Sequence, residues 1–161
     1  MRCAFALIVV AASPSLAEPA KKTFPVSIKV AHERLLQHAE FVRCQGGGDR
    51  TICLYRMGEA RLETASESPD GNVFSAGTSC HSAAATLNDC ATATAFLSGV
   101  VGAGFSDDKV FFAIFTAYEE KNARFDETAF VSAGTRLSVL YPLKLADGLR
   151  TADYIFTFEK K

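Results

Sequence analysis

A chain of 161 residues with 17 basic and 18 acidic side chains has a formal charge of −1. That balance gives no electrostatic case for binding nucleic acid or an anionic membrane surface. Hydrophobic residues make up 48 % of the chain, enough at this one-domain length to bury a core without a metal or a staple to hold it.

Met1–Ala17 has the pattern of a secretory signal peptide. Arg2 supplies a positive start, Ala4–Ala12 a short apolar run, Pro14 a break, and Ser15-Leu16-Ala17 small residues at −3 and −1 of a cleavage site. The run is about half the length a bilayer needs, so no stable membrane insertion is expected once it is removed. Removal takes Cys3 and one of the 17 basic residues, leaving 16 against 18 acidic ones, a formal −2. The expected division is 1–17 signal, 18–23 a loose polar leader, and 24–161 a single α+β domain. The expected address is the periplasm or the extracellular space.

Four cysteines remain: Cys44, Cys53, Cys80 and Cys90. In an exported chain they are most simply two disulfides, and sequence allows three connectivities. Neighbours close the shortest loops, which favours Cys44–Cys53 with Cys80–Cys90.

In chain order, Ile28, Ala31, Leu35 and Ala39 recur at helical spacing, so a helix is expected over Ser27–Ala39. His32 and His38 do not share a face of it and read as partly solvated surface. Gly46-Gly47-Gly48 is a turn signal. With Gly48-Asp49 central to a type II′ hairpin, Cys44 faces Cys53 at a non-hydrogen-bonded position. There the Cα atoms approach to about 4.5 Å, within disulfide reach. Val42, Tyr55 and Met57 then share the cysteine face, and Arg43, Gln45, Arg56, Phe41, Ile52 and Leu54 the other. The glycines lack the sequence of a phosphate loop. Past Met57 the apolar parity shifts to Ala60 and Leu62, and Gly58 reads as a bulge in one long strand. Ser68-Pro69-Asp70-Gly71 is a turn. Val73–Cys80 is a third strand, with Phe74, Ala76, Thr78 and Cys80 toward the core.

A helix is expected over Cys90–Gly104, capped by Asn88 or Asp89, with Ala93, Phe96, Leu97, Val100 and Val101 as its stripe. Its many small residues let another backbone approach. The spacing of Val110, Phe111, Ile114, Phe115 and Tyr118 favours a second helix over Asp107–Lys121, although its β-branched and aromatic content would also suit a strand. Glu127–Ala133, Thr135–Tyr141 and Ala152–Phe158 alternate like strands, with Asp147-Gly148 as a turn. The fold class is α+β, helices packed on antiparallel sheet, in the rough order α-β-β-β-α-α-β-β-β with two disulfides. Two α-β3 halves are one way to arrange it.

No motif carries a recognisable chemistry. Cys80-His81 are adjacent on a strand and point to opposite faces, and Cys80 has a better use in a disulfide. The histidines do not form a metal-ligand pattern, so neither metal nor cofactor is expected. Glu59, Glu63, Asp107 and Asp108 read as surface acids. Phenylalanine is dense between Phe96 and Phe130. Its ordinary use is core, but it also makes Phe105, Phe111, Phe112, Phe115 and Tyr118 a candidate apolar binding surface. The expected function is that of a small exported binding protein for a protein partner or a small apolar ligand in the cell envelope. The rivals are a small secreted hydrolase with a site assembled in space, and a structural envelope component.

Overall fold

The structure, a computed structural model, describes residues 21–47, 50–81, 86–120, 128–140 and 153–161. The expected signal segment and the expected turns at Gly48-Asp49 and Asp147-Gly148 lie outside the described residues. Helix α1 (Ile28–Leu35) begins where extended Ser27 accepts the Val30 N–H on its hydroxyl at 3.3 Å. Ile28, Ala31 and Leu35 are its buried stripe. It ends four residues before the expected Ala39, because a turn through Leu36–His38 must deliver the chain to the sheet edge.

The sheet takes β1 (Glu40–Gly47), β2 (Arg50–Met57), β3 (Ala60–Ser66) and β4 (Val73–His81) from the first half of the chain. From the second half come β5 (Thr128–Ser132), β6 (Thr135–Leu140) and β7 (Asp153–Lys160). All pairings are antiparallel, in the order β1-β2-β3-β4-β7-β6-β5. The expected α+β class holds, with one correction: the long strand is two. Met57 pairs with Ala60, so Gly58-Glu59 form a two-residue hairpin loop, and Gly58 has φ +57°. A two-residue loop lets the chain reverse while keeping Ala60 and Leu62 on the face of Tyr55, which explains the parity shift without a bulge. The two halves do not form separate sheets, since β4 and β7 pair along seven residues, from Ser75↔Glu159 to His81↔Asp153.

The hairpin register is as expected. Cys44 opposes Cys53, Gly46 opposes Thr51 and Gly47 opposes Arg50. Cys44 and Cys53 are disulfide-bonded with Cα atoms 4.0 Å apart. Beyond Arg43 the register shifts, so Phe41 opposes Tyr55 and Val42 is the extra residue, 56 % exposed. Phe41 therefore opposes Tyr55 in place of the expected Val42, which has no partner on β2. A second shift, between Ala65 and Ser66, lets Val73 bury fully while Phe74 sits half-buried under the Lys21 ammonium at 4.5 Å.

Helix α2 (Leu87–Val101) starts at Thr86 rather than at Asn88 or Asp89. Thr86 Oγ1 accepts the Asp89 N–H at 3.1 Å, and the Asp89 carboxylate accepts the Thr86 N–H at 3.1 Å, a reciprocal capping box. The Thr86 hydroxyl also donates to the Asp89 carboxylate at 2.6 Å, and this bond, together with that from the Thr86 N–H, holds the Asp89 carboxyl below the usual carboxylate range. Gly102 ends the helix in the left-handed conformation. Cys90, in the first turn, is disulfide-bonded to Cys80 at the end of β4, with Cα atoms 6.0 Å apart. Helix α3 (Asp107–Glu120) follows, which decides the helix-or-strand ambiguity for helix. All three helices lie on one face of the sheet, over a core that includes Tyr55, Leu62, Leu97, Val101, Leu137, Phe156 and Phe158. The β5–β6 turn places Ala133 and Gly134 at φ 48° and 69°. It presses on the α2–α3 link so closely that a Cβ on Gly104 would lie 2.7 Å from that of Ala133.

Candidate functional site

Asp107 and Asp108 open α3, where acidic side chains suit the positive end of the helix. Val110, Ala113 and Ile114 are its buried arc. The stripe expected from spacing ran through Phe111 and Phe115 instead. The buried arc is rotated toward Ala113, and the small alanine permits close packing of α3 against α2 and β6. The rotation turns the aromatics outward. Phe112 is 69 % exposed and Phe115 38 % exposed. Phe111 is half-buried against the core, and its ring stacks on that of Phe115 with centroids 6.3 Å apart.

The candidate apolar surface thus divides. Phe105 belongs to the core, 7 % exposed and 5.8 Å from the Phe158 ring. Phe111, Phe112 and Phe115 form one contiguous patch on α3. Tyr118 lies on the same helix, and its side chain is outside the described residues.

The other sequence candidates are dispersed. Cys80 is committed to its disulfide, and the His81 side chain lies outside the described residues. Glu59 is exposed in the β2–β3 turn, Glu63 on β3, and Asp107 and Asp108 on α3, so these acids do not converge. His38, Glu40, Arg56 and Glu59 line one open trough. There Arg56 takes the Glu40 carboxylate at 2.6 Å, and His38 packs edge-on against Phe96 at 5.3 Å. The Glu40 hydrogen bond and charge push the Arg56 guanidinium further up from its already high value. Among the described residues there is no group of three or more His, Cys, Asp or Glu able to hold a metal ion.

One cluster escaped the sequence reading. His32 is not simply solvated: its Nδ1 lies 2.9 Å from the Tyr55 hydroxyl, and its ring meets Phe41 edge-on at 5.2 Å. Tyr55 is fully buried, and burial pushes its phenol up to about 12, with the Thr64 hydroxyl partly opposing that. The available signal was Tyr55 itself, placed on the core face beside Cys53 with a hydroxyl that needs a partner. Arg34 likewise reaches across to α2, donating from Nη1 to the Val100 carbonyl at 2.9 Å. Both contacts anchor α1.

The sheet face away from the helices is open. A shallow groove of about 330 Å³ runs along β4 over Ser75, Gly77 and Ser79, walled by Leu54, Arg61 and Glu63 on one side and Ile155 and Thr157 on the other. Its volume is at the small end of what ligand pockets occupy. No helix among the described residues is long and apolar enough to cross a membrane. No family model matches the chain, and neither a curated protein nor a solved structure is detectably similar to it.

Proposed function

We propose that this chain is a small exported binding protein that presents α3 to another protein. The observation that carries the reading is Phe112, 69 % exposed beside the stacked pair of Phe111 and Phe115. Three large aromatics within one and a half turns form a contiguous apolar surface, of the kind that marks interaction sites on otherwise polar exteriors. The patch is on the outside of a helix and is convex. A small apolar ligand needs a concavity that buries most of its own surface, so the shape supports a protein partner over a small molecule. Export rests on the N-terminal pattern and on the two disulfides, which suit an oxidising compartment.

The test uses the mature protein as bait in envelope extract, beside a Phe112→Ser/Phe115→Ser variant. Both substituted side chains are exposed, so circular dichroism of the variant should match the parent. The expected result is a specific protein retained by the parent and lost by the variant. Equal retention by both would remove α3 as the binding surface. Saturable binding of an apolar fluorescent probe, abolished by the same substitutions, would transfer the reading to a small ligand.

A further inference from the structure

Strand β1 is one edge of the sheet, and all eight of its residues are exposed. Glu40 opposes Arg56 and Arg43 opposes Leu54. Arg56 and Leu54 are two apart on β2 and share the face away from the helices, while Cys53 and Tyr55 between and beside them are buried. Glu40 and Arg43 therefore share that open face too. In a regular strand, residues three apart point to opposite faces. The extra residue at the Phe41/Arg43 register shift is what brings them together.

That parity matters when a strand meets its own copy. About a two-fold axis normal to the sheet, residue i meets j and j meets i, and opposed side chains must share a face. The shift makes an otherwise forbidden register available. Glu40 of each copy meets Arg43 of the other, and the axis passes between Phe41 and Val42, which are 47 % and 56 % exposed. Arg56 contacts only Oε2 of Glu40, which leaves Oε1 for a second guanidinium. Arg43 has no ion pair among the described residues.

We propose that the chain pairs with a second copy of itself, β1 against β1, antiparallel, in the register that opposes Glu40 to Arg43. Charges and a bulge on an edge strand keep foreign strands away. Toward its own copy the same charges attract in this one register, whereas registers centred on Glu40 or on Arg43 bring like charges together. The apolar pair at the axis then becomes buried, and two sheets join into one. The interface is at the opposite edge of the sheet from β5 and β6, on which side α3 packs, and it does not depend on the reading of the α3 patch.

The experiment is sedimentation velocity of the mature, oxidised protein over a dilution series, for the parent, Arg43→Glu, and Glu40→Arg/Arg43→Glu. The parent should show a concentration-dependent dimer. Arg43→Glu turns two attractions into two repulsions and should weaken it at least about tenfold. The exchange of both charges should restore it to within about threefold. Hydrogen exchange of the β1 amides should slow with concentration in the parent and the double variant only. A parent that is monomeric throughout overturns the proposal. So does an Arg43→Glu dimer as tight as the parent's, or a folded double variant that associates no better than the single one.

Discussion

The two disulfides close loops of nearly equal length, with sequence separations of 9 and 10, in opposite surroundings. Cys44 is exposed on the edge strand, and its bond to Cys53 staples the β1–β2 hairpin. Cys80 and Cys90 are 1 % and 0 % exposed, and their bond ties the end of β4 to the first turn of α2. Loop-closure entropy depends on separation and is alike for both, about 2–3 kcal/mol in the chain-entropy model. What differs is everything else the sulfurs do. Both sulfurs of one pair are buried between sheet and helix, while in the other only Cys53 is buried and Cys44 is exposed. Sequence separation alone therefore ranks the two as equals, and burial separates them.

The largest expected effect follows directly. Cys80→Ala/Cys90→Ala loses the cross-link and also leaves buried space, a total of about 3–5 kcal/mol. Cys44→Ala/Cys53→Ala should lose about 2–3 kcal/mol for the cross-link and less than the inner pair for buried space, since only Cys53 of the two is buried. Urea unfolding of the two double variants measures the difference. Equal losses, or the reverse order, would show that burial does not separate the bonds.

The edge hairpin has a second anchor, and pH isolates it. The Tyr55 phenol is held at about 12, above its ordinary 10.0. The folded chain therefore keeps a proton that the unfolded chain releases between those values. Its contribution is complete below pH 10 and is lost as pH rises toward 12, about 2–3 kcal/mol in all. The urea midpoint should fall between pH 9 and 11.5 by more in the parent than in Tyr55→Phe. If both fall alike, the buried phenol does not anchor the hairpin base, and the disulfide holds that end alone.

The smallest effect probes the inner disulfide from its helical side. Thr86→Ala removes the cap four residues before Cys90 and should cost about 1 kcal/mol at neutral pH. The Asp89 carboxyl is held below the usual range by Thr86, so its contribution is present above the ordinary Asp pKa. It fades as pH falls through the depressed value. The gap between parent and Thr86→Ala should narrow in acid accordingly. A gap that stays constant from neutral pH into acid would separate the cap from the carboxylate.

The hairpin and the α3 patch show how far sequence reaches. Cys44 opposite Cys53 followed from one glycine turn and the two-residue period of a strand, because every contact involved lies within ten residues. The division at Gly58 was visible as a parity shift, but a shift is equally the mark of a bulge. Only the pairing of Met57 with Ala60 shows a turn. On α3 the same kind of periodicity identified the helix and missed its rotation. Val110 and Ile114 are inward on either reading, and Ala113 is silent on a hydrophobicity count although it faces the core.

The sequence by itself determined the α+β class, the approximate places of the first two helices, the hairpin register from Arg43 to the turn and a choice of disulfides that the structure has. These depend on turn chemistry, caps and periods written in contiguous residues. Tertiary structure alone decided that β4 meets β7 to make one sheet, that His32 reaches the Tyr55 hydroxyl, and that Phe112 and Phe115 face outward while Phe105 goes in. Each of those depends on which surface another element covers. Many aromatics compete for one core of limited volume, and close packing of α3 on α2 decides which of them are left outside.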